Sequence, residues 1–192
     1  ELDNDTYESA ENKYIENDIP EAIIRFKKYI EAFPNGLSAL KANFYLAQLL
    51  DKTGLKDEAV PNFQYVVAQP QSEYSEEALN KLTQILLEKE DWVVAIPLLE
   101  RLEQEANLAQ NIVYAQSNLM KGYYQSNDFE KAVDYAEKIL LKDKIDSNVE
   151  YDAKIIIARS AFQTEDFPKA EEFYREVERN ARGELKAEAL YY

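Results

Sequence analysis

The 192-residue chain contains no cysteine and no histidine. Without thiols there is neither a disulfide nor a thiolate nucleophile, and without imidazole the usual zinc ligands and the commonest general base are also missing. A chain free of cysteine suits an oxidising compartment such as a periplasm, where stray thiols are a hazard, and fits a cytosolic one nearly as well. Glycine (4) and proline (6) are scarce, so a sheet-rich fold lacks its turn residues and helices joined by short connections are expected. The longest apolar run, Trp92 to Leu99, is eight residues, far below the ~18 that cross a bilayer. No basic-then-apolar leader opens the chain.

Positive charge is also in short supply, with 22 Lys and Arg against 37 Asp and Glu for a net −15. That sign repels phosphate backbones and anionic lipid, so no nucleic-acid partner and no direct membrane insertion of this segment are expected. Residues 1 to 21 hold eight acids against Lys13 alone. They form either a docking edge for a basic partner or simply a solvated helix face. There is no glycine-rich phosphate loop, no metal-ligand spacing and no serine in a nucleophile elbow, while acid pairs such as Glu171 and Glu172 belong to helix surfaces. The chain is therefore expected to be non-catalytic, with no cofactor and no metal.

What the chain does contain is one phrase repeated. An alanine followed by apolar residues at helical spacing recurs at Ala22, Ala59, Ala95, Ala132 and Ala170, with gaps of 37, 36, 37 and 38 residues. A period of that length is the mark of a solenoid whose helical hairpins bury their faces only against neighbours. Each period divides into helices A and B, expected at 4–17 and 19–32, 37–53 and 56–68, 74–89 and 91–105, 109–126 and 128–142, and 148–164 and 166–181. The repeats then span about 4–36, 37–72, 73–107, 108–146 and 147–183 of one domain covering 1–192, with a partial sixth at 184–192. The apolar Leu190, Tyr191 and Tyr192 do not resemble a polar capping helix. The reading is that the chain is an excerpt of a longer array, with possible self-association through this end.

Asp18, Asp91, Asp128 and Asp166 precede the repeated alanines by four residues, where a short acceptor caps the amides of helix B. Pro20 and Pro168 fall in the first turn of helix B, where a missing amide hydrogen costs little. Pro61 and Pro97 fall deeper and are expected to bend their helices.

The period resembles the tetratricopeptide repeat, a pattern of a small residue in helix A, an alanine in helix B, an aromatic four residues on and a closing proline. Ala10, Ala22, Phe26 and Pro34 match it in the first unit. Ala47, Ala59 and Phe63 do so in the second; Leu119, Tyr123 and Ala132 in the fourth; Ala158, Ala170 and Tyr174 in the fifth. The third, with Leu82, Ala95 and Leu99, matches least. The resemblance implies an all-α fold, a right-handed superhelix of about five hairpins plus the start of a sixth. It departs from the family at Tyr29, Val66, Leu102, Ile139 and Val177, where a second alanine is usual. The longer periods are similar to those of a bacterial-envelope subset of the family, which includes the lipoprotein of the outer-membrane barrel-assembly machinery and the periplasmic coordinator of the Tol-Pal system. A periplasmic or outer-membrane-associated place is favoured on that ground.

The resemblance also assigns the concave face to helix A, at positions 15, 11 and 8 residues before each repeated alanine. These are Tyr7, Glu11 and Tyr14; Phe44, Gln48 and Asp51; Asn80, Gln84 and Leu87; Ser117, Lys121 and Tyr124; and Ile155, Arg159 and Phe162. A groove of aromatics with amides beside them suits an extended peptide or a helix of a partner protein, since rings supply area at little entropic cost. The same rings also suit packing between neighbouring helices. The lysines and asparagines of a carboxylate clamp are missing at Tyr7, Glu11, Phe44 and Gln48, so a chaperone's acidic C-terminus is not the expected ligand. The expected function is a protein-interaction scaffold, for which the resemblance implies envelope assembly as a setting; recognition of a glycan or peptidoglycan by stacking is the alternative.

Overall fold

A computed structural model of the chain describes the backbone of residues 1–191 and the side chains of residues 1–180. The elements assigned among them are all α-helices: α1 (Leu2–Ile15), α2 (Ile19–Ala32), α3 (Ala39–Lys52), α4 (Lys56–Ala68), α5 (Ser75–Glu88), α6 (Trp92–Glu105), α7 (Ala109–Gln125), α8 (Phe129–Leu140), α9 (Ser147–Gln163) and α10 (Phe167–Tyr191). All ten follow the spans read from periodicity except the last. α10 runs through residues 182 and 183 without a break, where the opening of a further helix A was expected. Its residues 180–190 (NARGELKAEAL) hold one glycine and no proline among good helix formers, and a single internal glycine costs only ~1 kcal/mol. The side chains of Leu190, Tyr191 and Tyr192 lie outside the described residues.

The helices group into two compact units, Glu1–Asp91 and Trp92–Tyr192. In the first, α1 packs on α2, α2 on α3, α3 on α4 and α4 on α5. In the second, α6 packs on α7, α7 on α8, α8 on α9 and α9 on α10, and α7 also reaches α9. The helix B cores share one register, the repeated alanine plus the residues four and seven further on. Ala22, Phe26 and Tyr29 are buried together, as are Ala59, Phe63 and Val66, Ala95, Leu99 and Leu102, and Ala132, Ala136 and Ile139. In α10, Ala170 and Val177 are buried but Tyr174 is not. The larger residues that replace the family's second alanine are thus core side chains, and each removes ~1.5–3 kcal/mol worth of apolar surface from water.

Pro20 sits in the first turn of α2, and Pro61 and Pro97 lie inside α4 and α6, which continue on both sides of them. Each ring forfeits one backbone donor without ending the helix.

The turn from helix A to helix B is the same in all five repeats. Asn17, Gly54, Glu90, Asn127 and Glu165, each five residues before the repeated alanine, have positive φ of 59°, 83°, 56°, 59° and 62°. The following amide then returns to the carbonyl five residues earlier: Asp18 to Lys13, Leu55 to Leu50, Asp91 to Leu86, Asp128 to Tyr123 and Asp166 to Ala161, at 2.8–3.0 Å. This left-handed cap satisfies the last carbonyls of helix A. Asp18, Asp128 and Asp166 then accept from Glu21, Lys131 and Lys169 amides at 3.4, 3.3 and 3.3 Å to start helix B.

Glycine and asparagine take the left-handed conformation readily, whereas a glutamate pays steric cost of ~1–2 kcal/mol. Glu165→Gly is therefore expected to raise the unfolding free energy by ~1 kcal/mol, after the entropy cost of glycine is deducted. Urea unfolding followed by circular dichroism reads this directly, and a lower midpoint in the variant would contradict it.

The link after α2 is held by a tyrosine. The Tyr29 hydroxyl donates to Asp3 Oδ1 at 2.6 Å and accepts from the Ser38 amide at 3.1 Å, while Asp3 Oδ2 accepts from the Leu37 amide at 3.1 Å. One phenol and one carboxylate thus fix the first turn of α1 to the start of α3. Burial, then the neighbouring Asp3, pushes the Tyr29 phenol above its ordinary pKa, so it stays a donor at neutral pH.

Candidate functional site

Successive A helices are joined by polar pairs at equivalent positions. Lys41 of α3 meets Glu11 of α1 at 3.1 Å, Gln48 of α3 donates to Glu77 of α5 at 2.7 Å, and Lys121 of α7 meets Asp152 of α9 at 2.9 Å. Three of the expected groove residues, Glu11, Gln48 and Lys121, therefore have their polar ends engaged by the next helix.

In the first unit these helices enclose a cleft of about 620 Å³. Its lining includes the apolar Tyr14, Ile15, Ile19 and Phe63 and the polar Gln48, Asp51, Glu77 and Lys81. Lys81 meets Asp51 at 3.5 Å. Tyr14, Ile15 and Ile19 come from the end of α1 and the start of α2, on either side of the left-handed turn at Asn17. Ile15 is 72% exposed and Tyr14 37%, so both present apolar surface to solvent. The Tyr14 ring is stacked on Tyr45 at 4.8 Å.

The other groove positions divide by burial. Tyr7 and Phe44 are buried, Tyr7 against Phe26 and Tyr29 and Phe44 against Tyr45 and Tyr74. Ser117 is buried as well. Asn80 accepts from Gln84 at 2.7 Å. In the second unit Tyr124 lies edge-on to Phe129 at 5.8 Å and Phe162 to Phe167 at 5.7 Å, and Phe162 is 55% exposed. Ile155 is half-buried and Arg159 exposed on the same helix as Phe162. The structure thus gathers Tyr14, Gln48 and Asp51 at one cleft and leaves Arg159 and Phe162 exposed and Tyr124 half-buried in the second unit. Ile15, Ile19, Glu77 and Lys81 were not singled out from the sequence, and Phe63 was read there only as the repeat aromatic of the second unit. Ile15 and Ile19 were legible in principle, since they flank the turn that follows Tyr14.

Beside the cleft, the Tyr7 hydroxyl donates to Glu11 at 3.0 Å. Burial first, and then that carboxylate, hold the Tyr7 phenol far above its ordinary pKa. The hydrogen bond to Glu11 likewise raises the Lys41 ammonium. Both groups are consequently protonated at neutral pH, and neither serves as a base.

A second cavity, of about 500 Å³, lies in the second unit and includes Glu100, Tyr123, Tyr135, Lys131 and Lys138. It is furnished by its own chain: Tyr123 donates to Glu100, Tyr135 donates to Glu103 at 2.7 Å, and the two lysines sit over the stacked rings at 5.1 and 4.4 Å. No group of three or more acids, histidines or cysteines among the described residues is placed to hold a metal ion. No helix among them is long and apolar enough to cross a membrane.

No curated protein matches the chain. Solved structures similar to it include MamA (20% identity, TM-score 0.57, covering 96% of this chain and 94% of that one). A second is YrrB, described as a TPR protein with an unusual peptide-binding site (17%, 0.62, 88% and 80%). A third is a tetratricopeptide repeat protein from Parabacteroides merdae (13%, 0.59, 94% and 67%). Residues 119–184, which span α8, α9 and their flanks, match the family model for the tetratricopeptide repeat. Those residues are similar to tetratricopeptide repeats, and the chain as a whole has the all-α fold of the proteins built from such repeats.

Proposed function

We propose that the chain is a non-catalytic docking scaffold and that its first unit holds a short segment of a partner protein in the cleft beside Tyr14. The observation that carries this reading is the cleft itself, lined by exposed Tyr14 and Ile15 and by the Gln48–Glu77 and Asp51–Lys81 pairs. Rings can take an apolar side chain while amide and carboxylate groups take backbone hydrogens. The likeness to YrrB, whose description names a peptide-binding site, supports the same reading. Tyr124, Arg159 and Phe162 extend it as a second contact surface. Assembly of a bacterial envelope is the setting we favour, on the resemblance of repeat length described above.

Selection of a random peptide library on the immobilised chain, followed by fluorescence anisotropy, tests the proposal. Tyr14→Ala is expected to weaken the selected peptides about tenfold, as loss of an interfacial aromatic does, with melting nearly unchanged. The pair Tyr124→Ala and Phe162→Ala tests the second surface in the same way. Early melting of these variants would make the rings core rather than contact. Binding of cell-wall saccharides in place of any peptide would replace this reading with glycan recognition.

A further inference from the structure

Lys41 is seated like a ligand. Its ammonium lies 5.6 Å from the centre of the Tyr7 ring and 5.8 Å from that of Tyr45, and it meets Glu11 Oε1 at 3.1 Å. The same carboxylate oxygen accepts from the Tyr7 hydroxyl at 3.0 Å, which fixes the acid in place. Two aromatic faces and one carboxylate around a cation are the elements that recognise alkylammonium groups, each face adding ~0.5–2 kcal/mol. Yet the occupant is not locked in. The Lys41 side chain is 39% exposed and reaches the seat on a flexible stem, so it can leave for water at small cost. The seat also adjoins the cleft, because Tyr45 carries Tyr14 stacked on its ring.

We infer that Tyr7, Glu11 and Tyr45 form a recognition site for an alkylammonium group, closed by the chain's own Lys41 and taken over by a lysine of a segment docked in the neighbouring cleft. The exchange trades one ammonium for another and leaves the ion pair count unchanged. Contacts in the cleft then decide which occupant stays. Lys41 acts as a built-in competitor, and its removal strengthens binding of basic ligands. The acidic balance of residues 1–21 around the seat favours the same class of partner.

The takeover rests on the docking reading of the cleft, whereas the chemistry of the seat can be tested without a peptide. Tetramethylammonium chloride is titrated into the whole chain and the tyrosine ring resonances are followed by NMR. Lys41→Ala is expected to bind it about tenfold more tightly than the parent chain, with the Tyr7 and Tyr45 rings shifting. Adding Glu11→Gln to that variant is expected to abolish the gain. Lys28→Ala, which removes the same charge from an exposed site on α2, is expected to change nothing. Equal affinities of Lys41→Ala and the parent chain, or an equal gain in Lys28→Ala, would overturn the inference. If Lys41→Ala melts early, Lys41→Met keeps the stem without the charge and serves in its place. Peptides selected on the cleft that contain lysine are expected to gain affinity in the same variant, and peptides without it are not. Tetramethylammonium binding without any peptide binding would support the seat and sink the docking reading.

Discussion

Ala132→Leu is expected to lower the unfolding free energy by ~3 kcal/mol, the upper end of the range for overpacking. Ala132 has no exposed surface, and α8 is pressed between α7 and α9. Its companions in register, Ala136 and Ile139, are equally buried, so three further carbons at this position have to enter the packed face of α8. Interiors at crystal-like density answer such an insertion by moving backbone or forcing side chains off rotamer. The whole hairpin must then shift on two faces at once. Urea denaturation monitored by circular dichroism measures the loss, with Glu130→Leu on the exposed side of α8 as the comparison. A change below ~1 kcal/mol would show slack at the crossing that the packing does not reveal.

Gly36→Ala is expected to cost ~2 kcal/mol through a different route. A Cβ at residue 36 would lie 2.5 Å from the Tyr29 hydroxyl oxygen, 2.6 Å from Asp3 Oδ2 and 2.9 Å from the Phe33 Cβ. Those contacts are closer than any stable approach, so either the phenol or the carboxylate has to withdraw. Withdrawal breaks the donor to Asp3 and leaves the Leu37 and Ser38 amides short of their acceptors. Loss of a hydrogen bond to a charged group such as the Asp3 carboxylate costs ~1.5–3 kcal/mol. The decisive comparison is a double-mutant cycle with Tyr29→Phe. Because both changes dismantle one clamp, their effects should fall well short of additive, and full additivity would mean that the glycine is needed for some other reason.

The helix spans were legible because each depends on a local signal, the 3.6-residue apolar period and the aspartate before helix B. The repeated alanines were equally legible, and all five are buried. The left-handed turn was not, since its five positions are filled by two asparagines, one glycine and two glutamates. Only three of these have the residue type that announces such a conformation. The groove was half legible. Counting back from the alanine names one face of helix A, but it gives no information on which rings a neighbouring helix covers. Tyr7 and Phe44 were placed beside Tyr14 by register, yet both are enclosed by aromatics of α2, α3 and the α4–α5 link, while Tyr14 keeps an open side. That outcome depends on Phe26, Tyr29 and Tyr74, which lie on other helices or links of the chain. Periodicity within one helix cannot report it.

The rungs between A helices bear on how such an array can be edited. Each of Lys41, Glu77 and Asp152 answers a group on the preceding helix A, and the three matches are chemically different: acid to lysine, amide to acid, lysine to acid. A repeat cut out and spliced elsewhere would bring its half of a match to a stranger. Duplication, deletion or grafting of modules in this chain is thus constrained by edge chemistry as well as by shape, and shuffled arrays would need their borders rewritten before they stacked as well as the parent.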